Sequence, residues 1–354
     1  MTRGHSTTPP GVRGVLIGCG FFAENQLHAW QALPGVEIVA VCDRDPARLA
    51  QVRERFGIDE GHTDAGRLLA SCRPDFVDIA APTPAHAELV ELAACAGADI
   101  ICQKPFAGSP AAARALIETC RHHGVSLSIH ENFRWQHAIR RVIDTLRQGA
   151  IGRPFFGRIS YRSGFDVYRA QPYLARAERF IIEDLGIHLL DVARALFGEV
   201  DRLGCEITRV NPDIRGEDVA TMMLHHDSEV TTLVDCSYAT RLAEDPFPQS
   251  LIEIDGSHGS LRLAPDYRLT RHDAAGGQDT REVAPTPPAW STAPWTPIQE
   301  SVSAFQADWL DARRGGRPVE TRGEDNYNTL ALVEAAYRAA ADHGTVTPER
   351  WPPA

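Results

Sequence analysis

Lysine is almost missing from this chain. Of its 36 basic residues, 35 are arginine, and the one lysine is Lys104. A site built on Tyr-x-x-x-Lys is excluded, because Ile100 stands four before that lysine, and a phosphate loop ending in Gly-Lys is excluded too. A basic excess is also missing: 36 Lys+Arg against 47 Asp+Glu give a formal charge of −11. That balance argues against a grip on nucleic acid and against docking on anionic membranes. No apolar run approaches the ~20 residues that span a bilayer. The eight cysteines form no Cys-x-x-Cys pair, which argues against a zinc or disulfide framework. Several of them, Cys19, Cys42 and Cys102, sit in apolar runs where a thiol acts as a small hydrophobe. There is no His-Glu-x-x-His, so no catalytic metal is expected. The first ten residues carry no apolar signal core, and a reduced cytoplasmic protein is expected.

The length of 354 residues suggests two domains. Short apolar strands, Gly14–Gly18, Val36–Cys42, Phe76–Ala80, Ile100–Cys102 and Val125–Ile129, alternate with helical stretches such as Pro46–Phe56 and Ala85–Ala96. This texture predicts βαβ units around a parallel sheet buried on both faces. After about residue 150 longer strands dominate, at Phe155–Tyr161, Thr221–His225, Val230–Cys236 and Leu251–Asp255, with a helix at Leu185–Phe197. They predict an α+β domain with a large, open, mostly antiparallel sheet. The stretch Ala274–Pro297 reads as a loop, and helices follow near Glu300–Arg313 and Asn326–Ala341. The expected division is a flexible arm over residues 1–10, a dinucleotide-binding domain over 11–133, a substrate and oligomerisation domain over 134–345, and a tail over 346–354.

The first strand runs into Gly18-Cys19-Gly20-Phe21-Phe22-Ala23, which is G-x-G-x-x-A between a strand and a helix. The first glycine permits a tight turn, the second lets a pyrophosphate approach the backbone, and Ala23 allows close helix packing. Asp43 ends the second strand, where a carboxylate can accept from both ribose hydroxyls of NAD and would repel the 2′-phosphate of NADP. Arg44 beside it keeps NADP open as the lesser expectation. The plain alternative is a glycine turn with a helix-capping aspartate.

Lys104 lies in Cys102-Gln103-Lys104-Pro105, just past the fourth strand, where ligands bind in open parallel sheets. The alternative is one lysine left by compositional chance. A second cluster is Asp184-Leu185-Gly186-Ile187-His188-Leu189-Leu190-Asp191. On an ideal helix Asp184, His188 and Asp191 fall within about 60° of each other, opposite the leucines. A histidine flanked by carboxylates is an oriented general base; a solvated face with Asp184 as N-cap is the alternative.

Together these pieces resemble the Gfo/Idh/MocA family, the glucose–fructose oxidoreductase and inositol dehydrogenase group, from about Gly14 to Gly344. The family's Glu-Lys-Pro corresponds to Gln103-Lys104-Pro105, and its Asp-x-x-x-His to Asp184 and His188. Its T-P-x-x-x-H segment corresponds to Ala81-Pro82 with His86, and its Asn-x-Arg-aromatic segment to Asn132-Phe133-Arg134-Trp135. Gln103 and Ala81 depart from the pattern, and both fall on the cofactor side. Gln-Lys-Pro with Ile-His-Glu-Asn-Phe-Arg-Trp looks like a sugar-dehydrogenase subgroup that includes D-apiose dehydrogenases.

The resemblance implies a Rossmann domain followed by an α+β domain. It implies an NAD-dependent oxidoreductase moving hydride between a sugar or polyol carbon and nicotinamide, on an aldose or inositol-like substrate. Lys104, Asp184 and His188 would be catalytic. Gly18, Gly20, Phe21, Phe22, Ala23, Asp43, Arg44, Pro82, His86, Gln103, Lys104 and Asn132 would hold the cofactor. Arg134, Arg162, Asp166 and Tyr168 would join Lys104, Asp184 and His188 around the substrate. An open sheet with helices on one side leaves an apolar face to cover, so a homodimer or homotetramer is expected. An NAD-dependent glycosidase and a non-catalytic dinucleotide-binding regulator remain the alternatives.

Overall fold

The computed structural model describes residues 11–352; the expected arm over residues 1–10 lies outside them. The chain divides into two compact units, one of residues 11–130 and 306–323, the other of 131–305 and 324 onward. The expected boundary at 133/134 is thus corrected to 130/131, and the first unit is discontinuous.

The first unit contains β1 (Val12–Ile17), α1 (Phe21–Ala32), β2 (Val36–Cys42), α2 (Pro46–Phe56), β3 (Glu60–His62), α3 (Ala65–Cys72), β4 (Phe76–Ile79), α4 (His86–Cys95), β5 (Asp99–Gln103), α5 (Pro110–His123) and β6 (Leu127–His130). Its six strands are ordered β3-β2-β1-β4-β5-β6, and every pairing is parallel. The order reverses beside β1, which opens a crevice at the carboxyl ends of β1 and β4. Asp45, Asp64 and Ser109 cap α2, α3 and α5 through side-chain oxygens, as local sequence requires. α1 is tied to the sheet from below: buried Asp78 on β4 accepts from Gln26 Nε2 (2.9 Å) and Trp30 Nε1 (2.8 Å). Burial pushes that carboxyl up to about 7. The returning segment 306–323 packs Trp309 against Trp30 and Phe76. It also covers the open edge of β6 through Ile129 N to Thr321 O, 2.8 Å.

The second unit contains α6 (His137–Arg147), β7 (Pro154–Arg162), α7 (Ile187–Phe197), β8 (Val200–Thr208), β9 (Val219–His226), β10 (Thr231–Ser237), β11 (Leu251–Gly256), β12 (Gly259–Ala264), β13 (Arg268–Asp273), β14 (Gln278–Glu282), part of α8 (Thr296–Gly315), most of α9 (Gly323–Asp342) and β15 (Thr345–Val346). Its nine strands run β14-β13-β12-β11-β7-β10-β9-β8-β15. The β7–β10 pairing is parallel and the other named pairings are antiparallel. One face, with Ile159, Tyr161, Met222, Val234 and Ile254, forms a core with α6, α7 and α9. β14 falls inside the stretch expected to be a loop.

The other face is not the apolar surface expected. Alternation along β7 and β10 places Arg158, Ser160 and Arg162 beside Asp235, whose carboxylate takes all three at 2.9 to 3.2 Å. Met223, 56% exposed, with Leu233, Phe156 and Leu251, supplies its apolar part.

Candidate active site

In the first unit the glycine loop is built as its spacing predicts. Gly18 has φ +102°, and a Cβ there would lie 2.7 Å from Ala80 C and Ala81 N. Only glycine fits between the ends of β1 and β4. A Cβ on Gly20, the residue preceding α1, would meet nothing within 4 Å. That space lies at a helix N-terminus, where backbone N–H groups favour an anion. Asp43 Oδ2 accepts from Cys19 N (2.6 Å) and Oδ1 from Asp45 N (2.8 Å), so this carboxylate also braces the glycine loop. Burial, then Asp43 and Cys42, push the Cys19 thiol up to about 12, which keeps it unreactive. Arg44 pairs with Glu88 (3.2 Å), both exposed. Phe21 is 47% exposed, and Phe22 sets its ring edge-on to His130 at 5.8 Å.

β5 ends in Gln103, and half-buried Lys104 follows, joined to Pro105 by a cis bond. Gln103 Oε1 accepts from Lys104 N (3.3 Å), while its Nε2 is buried without an acceptor among the described residues. His86 is corrected from a cofactor contact to a clamp: Nε2 meets Ala81 O (2.8 Å) and Nδ1 meets Phe106 O (3.2 Å). Burial pulls its basicity down. Thr83 Oγ1 adds a bond to Pro105 O (3.1 Å), so the loop holding exposed Pro82 and the loop holding Lys104 are fixed to each other.

In the second unit His188 is 6% exposed on the first turn of α7. Its Nδ1 is bonded to Glu131, which is wholly buried. The Phe133 ring stacks on the imidazole at 4.0 Å and 5°. Asp184 stands four residues before His188. It lies in a π-turn, Ile182–Gly186, that precedes α7 and breaks the ideal 100° spacing. Asp191 is buried and takes Arg134 in a two-point pair, Nε–Oδ2 2.7 Å and Nη2–Oδ1 2.6 Å, and also Thr329 Oγ1 (3.0 Å). Arg134 reaches Asp325 as well (3.2 Å), so the expected substrate grip is corrected to an interior ion pair. Asn132 Nδ2 donates to Ser301 Oγ (2.6 Å).

Of the remaining expected substrate contacts, Arg162 lies on the outer sheet face with Asp235. Asp166 caps a short turn by accepting from Tyr168 N and Arg169 N. The Asp184 charge raises the phenols of Tyr161, Tyr168, Tyr173 and Tyr238, after burial, which comes first in each. Those phenols stay neutral.

Two sequence matches divide the chain in the same way. Residues 12–131 match the oxidoreductase family with an NAD-binding Rossmann fold, Gfo/Idh/MocA, and residues 139–262 match the Gfo/Idh/MocA C-terminal domain. The D-apiose dehydrogenase of Paraburkholderia graminis is 54% identical over 96% of this chain and 91% of its own. The chain belongs to the Gfo/Idh/MocA oxidoreductase family.

A second D-apiose dehydrogenase, from Rhizobium rhizogenes, is 51% identical over 95% of this chain and 97% of its own. An oxidoreductase from Agrobacterium radiobacter, crystallised with NAD+, L-tartaric acid and magnesium, superposes with a TM-score of 0.93. It is 51% identical and covers 95% of this chain and 98% of that one. The first unit of this Gfo/Idh/MocA protein is thus an NAD-binding domain, and its geometry fits the dinucleotide. The space at Gly20 suits a pyrophosphate, and the buried Gln103 Nε2 is a donor without an acceptor among the described residues. No helix is long and apolar enough to cross a membrane among the described residues.

Proposed function

We propose that this Gfo/Idh/MocA protein is an NAD-dependent dehydrogenase of D-apiose. The observation that carries the reading is identity of 54% and 51% to two D-apiose dehydrogenases over 96% and 95% of the chain. Bound NAD supplies the acceptor for the carbinol hydride. The chain supplies the rest. Gly18 and Gly20 leave room for the pyrophosphate, Asp43 selects an unphosphorylated ribose, and Gln103 Nε2 donates at the nicotinamide end. Lys104, as ammonium, donates to the reacting oxygen and stabilises the negative charge that develops there. His188 takes the hydroxyl proton on Nε2. Asp184, with the neutral phenol of Tyr168, binds sugar hydroxyls. The protein works as a homodimer or homotetramer, and its eight free cysteines suit a reducing cytoplasm.

The test is a panel of aldoses, polyols and sugar acids incubated with NAD and followed by NADH absorbance. D-Apiose should give the highest kcat/KM and one NADH per sugar oxidised. Glycoside cleavage without net NADH would replace this reading by the glycosidase one. NAD binding with no turnover of any sugar would replace it by the regulator.

A further inference from the structure

We propose that Glu131 is a positioning residue, which fixes His188 as the Nδ1–H tautomer and so leaves the Nε2 lone pair as the proton acceptor. This inference rests on His188 being the base of the proposed reaction. A carboxylate only accepts hydrogen bonds, so the ring nitrogen against Glu131 must carry the proton. A neutral imidazole has one N–H, and fixing it at Nδ1 puts the ring's lone pair on Nε2. Phe133 stacked on the ring at 4.0 Å then sets the plane in which that lone pair points.

The pair is held from both sides. Glu131 and Arg134 are three residues apart, as are His188 and Asp191. Glu131 meets His188 and Arg134 meets Asp191, each across 57 residues. The two-point Arg134–Asp191 bond thus lies one turn beyond the Glu131–His188 bond and fixes its register. When His188 accepts the substrate proton it becomes a buried cation with the Glu131 carboxylate against its Nδ1. Carboxylates come from the segment after β6 (Glu131), from the π-turn and α7 (Asp184, Asp191), and from α9 (Asp325). The cations facing them are Arg134 and Arg194, the latter on Asp325 (3.1 Å) and Glu199 (2.6 Å). The buried side of α6 offers only Ala138, Ile139, Val142 and Ile143, and β7 offers neutral Tyr161. An opposite charge in contact favours the protonated ring.

Three measurements decide it. In wild-type protein, 15N NMR of His188, assigned by its loss in His188→Ala, should show the Nδ1–H tautomer. An Nε2–H ring would overturn the proposal whatever the activity. Glu131→Gln should lower kcat by about 10²-fold or more, as loss of a tautomer-fixing carboxylate does elsewhere. It should move the acid limb of kcat/KM, where His188 protonates, to lower pH while the Kd for NAD holds within about threefold. Glu131→Asp, which keeps the charge, should recover part of the loss. In a His188→Ala background Glu131→Gln should cost nothing further, because it acts through the ring. Wild-type turnover and limb in a folded Glu131→Gln enzyme, with His188→Ala inactive, would refute the role of Glu131. An active His188→Ala enzyme would instead refute the parent reading.

Discussion

Replacing Arg134 by methionine is expected to destabilise the second unit severely rather than merely weaken sugar binding. The guanidinium is 6% exposed and the Asp191 carboxylate 0% exposed, with two bonds of 2.6 and 2.7 Å between them. Methionine fills much of the same volume, so packing loss is small beside the charge left behind. Removing one partner of a buried pair costs about 3–5 kcal/mol, because the other charge stays desolvated. For a unit of roughly 200 residues, one kcal/mol moves Tm by about 2–4 °C, so the expected drop is roughly 6–20 °C. The pH dependence has a definite sign. Burial already raises the Asp191 carboxyl, against Arg134, which lowers it. A carboxyl raised on folding favours the protonated folded state, so the penalty grows as pH rises through its folded value. The variant should therefore fall further behind wild type at pH 8 than at pH 5. Adding Asp191→Asn removes the stranded charge and leaves Asp325 with Arg194, and should recover at least half of the loss. Scanning calorimetry of the four proteins at both pH values is the assay. An Arg134→Met protein that melts within about 2 °C of wild type but shows a raised KM for sugar would refute the ion-pair assignment and restore the substrate grip.

Lys104→Arg should lower kcat about 10²–10³-fold while NAD binding, by fluorescence titration, stays within about tenfold, because a planar guanidinium cannot replace a compact ammonium at one oxygen. Wild-type kcat/KM should favour NAD over NADP by at least about tenfold, or roughly 1.4 kcal/mol. Asp43→Ala should erode that ratio and also weaken NAD, since Asp43 braces Cys19 N at 2.6 Å. Light scattering at micromolar concentration should give two or four times 38.8 kDa, and a monomer would refute the assembly.

What could be read in advance follows burial. β1, β2, β4 and β5 are near-continuous apolar runs because both faces of their sheet are covered. β14 was illegible for the opposite reason: Gln278–Glu282 is Gln-Asp-Thr-Arg-Glu, exposed throughout, and is held to β13 by backbone pairing and one hydroxyl contact, Thr270 Oγ1 to Thr280 Oγ1. The return of residues 306–323 to the first unit depends on contacts such as Thr321 with Ile129, 192 residues apart, which leave no local pattern. The outer sheet face was misjudged because alternation predicts which residues face outward but not whether they pair. Arg158 and Arg162 stand there because Asp235, on the neighbouring strand, neutralises them.

The same distinction governs the cluster around His188. Asp184, His188 and Asp191 were legible as a cluster because helical spacing is local, yet neither carboxylate occupies Nδ1 of the histidine. The π-turn removes the ideal geometry from Asp184, and Arg134 takes both oxygens of Asp191. The residue that does meet Nδ1, Glu131, stands in a stretch that sequence comparison already marked, Ile-His-Glu-Asn-Phe-Arg-Trp, without a role for its acid. One signal was available. A glutamate between a buried strand and two aromatic residues has little water to solvate it, and a buried carboxylate must find a proton or a cation. Glu131 meets that need at the imidazole of His188, a group that can supply a proton there and can carry a positive charge.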